Sequence, residues 1–213
     1  MKILITAGPT YERIDPVRFI GNYSSGKMGY AIADACADAG NEVILIAGPV
    51  QISPQNPNVK VIKVESAAQM LDAVLCHFSN VDGAVLCAAV ADFTPVVVAD
   101  KKIKREGENM IIELKPTADI AATVGKMKTE KQFLVGFALE TNDEEAHAAD
   151  KMKRKNLDFI VLNSLNDKEA CFGYDTNKIT IIHSNGEKKP FPLKSKKLVA
   201  LDILNEINML CKK

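Results

Sequence analysis

Short apolar runs alternate with helical patterns along nearly the whole chain, and this alternation constrains the fold more than any single motif does. Residues 2–7, 43–47, 59–64, 83–89, 132–138 and 157–162 read as strands, and GAVLCAA at 83–89 is continuously apolar. Continuous runs suit strands buried on both faces of a parallel sheet, because a half-exposed strand would alternate. Between them, residues 28–39 carry apolar and small side chains at helical spacing and stop at Gly40. Ser66 caps a second pattern reaching Phe78, a short helix follows Ala118, and a charged helix covers 143–155. The end of the chain differs, with a run at 178–183, an Asn185-Gly186 turn, a short return and a helix over 195–210. Asn-Gly between two extended runs predicts an antiparallel hairpin. The expected fold is therefore α/β: a Rossmann-like, doubly wound, mostly parallel sheet with an antiparallel C-terminal hairpin at one edge.

The 213 residues suffice for one such domain, taken as 1–213, without a repeat, low-complexity stretch or evident linker. Lys plus Arg number 27 and Asp plus Glu also 27, so the formal charge is zero. Nucleic-acid binders carry a basic excess, since each phosphate contact needs a cation, so no nucleic acid is expected as partner. No apolar run approaches the roughly 20 residues that span a bilayer, and MKILITAGPT reads as a strand entering a turn rather than a signal peptide. The five cysteines are scattered without a C-x-x-C pair, which predicts reduced, mostly buried thiols in a cytoplasmic protein. The three histidines lie far apart, and no zinc site is expected.

Two segments break the alternation. Residues 92–113 carry a basic run and form a long connection, expected to be a flap. Residues 164–177 lack periodicity and are expected to be a loop, with a dimer interface as one role. Long connections in compact domains are often lids, binding loops or interface elements.

The stretch GNYSSGKM at 21–28 has the spacing of a Walker A loop, but Met28 stands where a hydroxyl should hold Mg²⁺. It also does not follow its strand directly, because residues 8–20 intervene, with Pro9 and Pro16. Tyr23 and Lys27 have the short-chain dehydrogenase spacing, yet lie too early in the chain for that role, and G-x-G-x-x-G is absent after the first strand. What remains is physical: Ser24, Ser25, Gly26 and Gly29 precede and open a helix, whose free N–H groups favour an anion. An ordinary serine-rich cap is the equal alternative.

Lys101-Lys102-Ile103-Lys104-Arg105 is by residue type a solvated patch. Its position after a strand's C-terminal end, where ligands bind in open α/β sheets, raises its functional weight. Asp92 ends the neighbouring apolar run, as a cap or as an acceptor for ribose or base. Lys151 and Lys155 share a helix face, with Glu144, Glu145 and Asp150 as default ion-pair partners. Asn22 alone passes as a turn residue. Residue by residue, the chain reads as a domain for a phosphorylated small ligand.

These segments also occur together and in order in a known family. ITAGPT at 5–10, IDPVRFIGN at 14–22, SSGKMG at 24–29, AAVADF at 88–93, KIKR at 102–105, KPTADIAATV at 115–124, GFALETN at 136–142 and KNLDFIVLN at 155–163 closely resemble phosphopantothenoylcysteine synthetases. In many bacteria these form the C-terminal half of a bifunctional coenzyme A biosynthesis protein whose other half is a flavin-dependent decarboxylase. No flavin is expected in this chain. The resemblance implies a ligase that activates 4′-phosphopantothenate with CTP and Mg²⁺ to an acyl-cytidylate and pyrophosphate. L-cysteine then displaces CMP. It implies Asn22 and Lys102 as catalytic residues, Asn22 on the acyl intermediate and Lys102 on the triphosphate. Leu86, Cys87, Ala88, Asp92, Lys102, Ala118, Asp119, Ile120, Ala121, Phe137, Lys151 and Lys155 are the implied CTP contacts, with Ser24 and Gly26 as a phosphate loop. A homodimer is implied as well. The chain departs from bacterial relatives in having Gly21 where serine is frequent, Tyr23 where histidine is common and Arg105 for a frequent lysine. The alternatives are an NAD(P)-linked oxidoreductase on a similar sheet and a non-catalytic nucleotide-binding module.

Overall fold

The computed structural model describes residues 1–105, 107, 109–140, 144–164, 170 and 173–212. Its elements run in the order β1 (Lys2–Ala7), β2 (Tyr11–Arg13), β3 (Phe19–Gly21), α1 (Lys27–Asp38), β4 (Glu42–Ala47), β5 (Lys60–Lys63), α2 (Ala67–Phe78), β6 (Gly83–Leu86), β7 (Phe93–Pro95) and β8 (Leu114–Pro116). There follow α3 (Ile120–Met127), β9 (Phe133–Glu140), α4 (Glu144–Arg154), β10 (Phe159–Ser164), β11 (Thr176–Asn177), β12 (Thr180–His183), β13 (Lys188–Pro190), β14 (Lys194–Ser195) and α5 (Lys196–Leu210).

Eight strands form one sheet in the order β13-β12-β10-β9-β6-β1-β4-β5. The first six in sequence to join it (β1, β4, β5, β6, β9, β10) run parallel, while β12 and β13 add antiparallel at the edge through the Asn185-Gly186 turn. Both faces are covered. Ile3, Ile5, Val43, Leu45, Phe159 and Val161 pack toward α1 and α5. Leu4, Ile44, Ile46, Ile160 and Leu162 pack toward α2, α3 and α4. The two-residue period survives inside runs that look uniformly apolar, because alternate side chains enter two different cores. This is the predicted architecture, and no helix of the described residues is long and apolar enough to cross a membrane.

Three antiparallel pairs lie outside the main sheet: β2 with β3, β7 with β8, and β11 with β14. None of the three was expected from the sequence. The run at 83–89 is a strand only to Leu86; beyond it the chain stays tied to the end of β1 through the Cys87 N–H on the Thr6 carbonyl and to the following turn through the Pro9–Ala89 bridge. The expectation of mostly buried thiols is corrected. Cys36 is buried and Cys87 half-buried, but Cys76 and Cys211, each near a helix C-terminus, are exposed. Cys171 and half of the 164–177 connection lie outside the described residues.

Candidate active site

The chain fills β1, β4 and β5 outward, then returns to the other side of β1 to place β6, β9 and β10. The carboxyl ends of β1 and β6 therefore diverge at a topological switch point, where doubly wound sheets open a crevice. A cavity of about 550 Å³ lies there. It is lined by Thr6 from β1, Leu86 from β6 with Cys87 and Ala88 beyond it, and Gly136, Phe137 and Ala138 from β9.

Of the residues expected in a site, Asn22, Ser24, Gly26, Leu86, Cys87, Ala88, Asp92, Ala118, Asp119, Ile120, Ala121, Phe137, Lys151 and Lys155 all line this one cavity. Lys102 does not. It is exposed on the loop joining β7 to β8, a hairpin whose first strand follows the cavity residue Asp92. Lys27, Asn163, Asn177 and Lys196 also line the cavity and were not expected there. Lys196 is the first residue of α5, far along the sequence from the other motifs, so only tertiary folding brings it there.

Each wall has a local cause. Gly26 takes φ 77° as the N-cap of α1, a conformation costly for other residues, and makes no side-chain cap. The starts of α2, α3 and α5 are closed by Ser66, Asp119 and Ser195 respectively. The α1 start thus leaves its first N–H groups without a capping side chain, which is the arrangement that favours an anion. Ser24 Oγ accepts from the Gly26 N–H at 3.3 Å and shapes the turn before the helix.

Asn22 follows β3 directly, and its Nδ2 donates to the carbonyls of Ala89 (3.0 Å) and Val90 (3.2 Å). The asparagine thereby clamps the 87–90 segment to the β2–β3 hairpin. Its Oδ1 carries no such duty, and donation to a ligand oxygen would come in exchange for one of these two bonds. Gly21 has a local reason: an added Cβ would lie 2.7 Å from Cδ1 of Tyr11, whose ring stacks on Phe19 at 3.7 Å.

Of the partners expected for Lys151 and Lys155 on their own helix, Glu144 and Glu145 have side chains outside those described. Asp150 pairs with Arg154 at 2.6 Å on the outer face, whereas Lys155 reaches Asp119 at 2.8 Å and Lys151 Nζ donates to the Phe137 carbonyl at 3.0 Å. Both lysines turn inward because α4 packs this face on β9 and β10. Burial by itself would raise the Asp119 pKa; the Lys155 bond, the Ala122 N–H and the charges of Lys155 and Lys151 outweigh it and hold the carboxyl below its ordinary value. Burial pushes the Cys87 thiol up to about 12, slightly offset by Lys196, so it stays protonated and weakly nucleophilic.

The donor set is cationic and amide-rich, and among the described residues no group of three His, Cys, Asp or Glu side chains could hold a metal. Such a site suits the phosphates of a nucleotide, so an accompanying magnesium ion would be coordinated chiefly by those phosphates. Fold and cavity together define a doubly wound α/β domain with a lysine- and amide-lined crevice at its switch point. The chain belongs to the DNA/pantothenate metabolism flavoprotein C-terminal domain family, whose model matches residues 1–210, in agreement with the motif resemblance.

The chain is 49% identical over 210 residues to the coenzyme A biosynthesis bifunctional protein CoaBC of Bacillus subtilis, covering 99% of this chain and 52% of that protein. It is 56% identical over 206 residues to a cysteine/cysteine sulfinic acid decarboxylase of an unspecified prokaryote, covering 97% of this chain and 57% of the relative. It thus spans about half the length of these relatives. A crystal structure of the C-terminal domain of a CoaBC protein superposes with TM-score 0.84 at 45% identity, covering 99% of this chain and 95% of the other.

Proposed function

We propose that this domain is a CTP-dependent phosphopantothenate–cysteine ligase in coenzyme A biosynthesis. The observation that supports this most is the cavity lined together by Asn22, the uncapped α1 start, Asp92, the α3 start and the inward pair Lys151 and Lys155. The name of the Bacillus subtilis relative agrees with it.

In the first step a carboxylate oxygen of 4′-phosphopantothenate attacks the CTP α-phosphorus. The bond to the bridging oxygen breaks and pyrophosphate leaves. Two unit charges about 4 Å apart repel by ~1 kcal/mol in water and ~4 kcal/mol at an effective dielectric of 20, so approach needs fixed cations. Lys102, on the loop that joins β7 to β8, supplies one such cation for the triphosphate, and the α1 N–H groups receive further phosphate oxygens. In the second step the cysteine amine attacks the acyl carbon, loses a proton and expels CMP. Asn22 holds the intermediate in register with the 87–90 segment. Magnesium supplies charge neutralisation on the nucleotide phosphates. The protonated Cys87 has no part as nucleophile, because the substrate amine attacks.

The experiment is to follow both half-reactions in variants. Asn22→Asp sets carboxylate oxygens against the Ala89 and Val90 carbonyls, so pyrophosphate should form while amide formation falls about a hundredfold or more. Lys102→Gln should suppress pyrophosphate formation itself. Wild-type turnover in both variants would contradict the roles of Asn22 and Lys102. The decarboxylase name of one relative calls for a control: carbon dioxide released from cysteine by this domain without nucleotide would favour that activity instead.

A further inference from the structure

The β2–β3 hairpin ends in Asn22, and its turn grips the loop that carries Lys102. Asp15 lies in that turn with a fully buried side chain. Its two oxygens have different partners. Oδ1 accepts from the Val17 N–H at 2.8 Å and the Arg18 N–H at 2.9 Å, closing the turn around Pro16. Oδ2 accepts from the Arg18 guanidinium (Nε 3.0 Å, Nη2 2.5 Å) and from the Ile103 N–H at 3.1 Å, 88 residues away. The same Arg18 Nη2 donates to the Ile103 carbonyl at 2.8 Å, and the Ala99 N–H donates to the Ile14 carbonyl at 3.0 Å. Both main-chain groups of Ile103 are thus held by one ion pair, and Ile103 is the residue after Lys102.

The hairpin is itself fixed. The Tyr11 N–H donates to the Glu65 carbonyl at 2.8 Å, Arg13 and Glu65 pair at 2.7 Å, and buried Glu12 accepts from the Ala67 N–H at 2.7 Å at the start of α2. The partners of Asp15 all belong to its own turn and to the loop, and none of them lines the cavity. A charge placed there at a desolvation cost is accounted for by the loop it holds.

We propose that Asp15, acting with Arg18, is a positioning residue for the first half-reaction: it latches the β7–β8 loop to the hairpin so that Lys102 and Asn22 are set by one rigid element. This rests on the ligase reading for its catalytic consequence, but the latch itself does not. A loop held at Ala99 and Ile103 samples fewer positions for its lysine, and small misplacements of a catalytic charge are costly in rate.

Asp15→Asn separates the two tasks, since the amide oxygen can still close the turn while its NH₂ group meets the donors of Ile103 and Arg18. Arg18→Lys, which keeps a charge but loses the fork, is the second variant should Asp15→Asn fold poorly. Limited trypsin digestion reads the latch directly, because Lys101, Lys102, Lys104 and Arg105 flank Ile103. The expected result is cleavage at 101–105 several-fold faster than in wild type, with the other sites unchanged. Unchanged cleavage there in both variants would overturn the latch whatever the protein catalyses. For the catalytic consequence, pyrophosphate release should fall about tenfold in Asp15→Asn, and Asp15→Asn with Lys102→Gln should be no slower than Lys102→Gln alone. Full multiplication of the two losses, or faster cleavage with undiminished release, would overturn the positioning role. If wild type releases no pyrophosphate, the ligase reading and this role fall together, while the digestion still decides the latch.

Discussion

At the scale of single residues, side chains that hold main-chain carbonyls shape the cavity: Asn22 holds those of Ala89 and Val90, and Lys151 that of Phe137. Asn22, Lys151 and Lys155 look ordinary in isolation; Asn22 and Lys155 stand out only through the ordered motifs, and Lys151 only through the family resemblance those motifs carry. Their inward orientation depends on β3, α4 and the carbonyls of Ala89, Val90 and Phe137, which no local pattern encodes. Lys27 and Lys196 were missed because each sits at a helix start, where lysine opposes the macrodipole, but a single cation there is a weak signal among 27. Cys87 invites the opposite error, since a cysteine lining a cavity suggests a nucleophile. With its thiol pushed up to about 12, it should resist iodoacetamide at pH 7.5 while exposed Cys76 and Cys211 react. Mass spectrometry of the alkylated protein checks this, and Cys87→Ser should keep turnover within about threefold, because the change retains the main-chain groups expected to frame the base. Rapid labelling of Cys87, or loss of turnover in the serine variant, would show a reactive thiol.

At the scale of elements, the long strands and helices followed from apolar periodicity and caps. Ser66, for instance, forms a capping box with Gln69 at the start of α2. The β2–β3 and β7–β8 hairpins did not follow, because strands of three residues are too short for a two-residue period to register. The end of α4 shows how an element sets the site. Asn156 adopts φ 53°, the Leu157 N–H bonds the Met152 carbonyl at 3.0 Å, and the Asn156 N–H bonds that of Lys153 at 3.4 Å, a Schellman arrangement. Lys155 is thereby fixed just past the helix end, and its carbonyl lies against α3: a Cβ added at Gly125 would stand 2.0 Å from it. Gly125→Ala must therefore push α3 and Lys155 apart. The expected outcome is a destabilisation of roughly 1–3 kcal/mol from overpacking, read by chemical denaturation, with a CTP KM raised about tenfold. Wild-type KM and stability would show that this contact yields without disturbing the lysine.

At the scale of the whole molecule, the reversal of strand order beside β1 creates the crevice, and the sequence disclosed it only indirectly, through strand–helix alternation. The same architecture makes stability depend on acid. Asp15, Glu65 and Asp119 are each held below their ordinary values, Asp15 and Glu65 first by hydrogen bonds from Arg18 and Arg13, and Asp119, against burial, by Lys155, the Ala122 N–H and Lys151 together. A depressed folded-state pKa contributes stability that is present above the unfolded value and is lost as pH falls through the folded one. Thermal stability should therefore be level from neutrality to about pH 5 and decline below the ordinary carboxylate range, with a shallower decline in Asp15→Asn, as differential scanning fluorimetry across pH 3–7 would register. An equally steep decline in that variant would remove Asp15 from the account.

The central claim is that the cavity activates a carboxylate with a nucleotide. The most direct measurement is pyrophosphate release from 4′-phosphopantothenate with Mg²⁺ and either CTP or ATP, with cysteine left out. The account predicts release with CTP and little with ATP. Release with ATP alone would contradict the reading of the base pocket, and no release with either would contradict the ligase assignment itself.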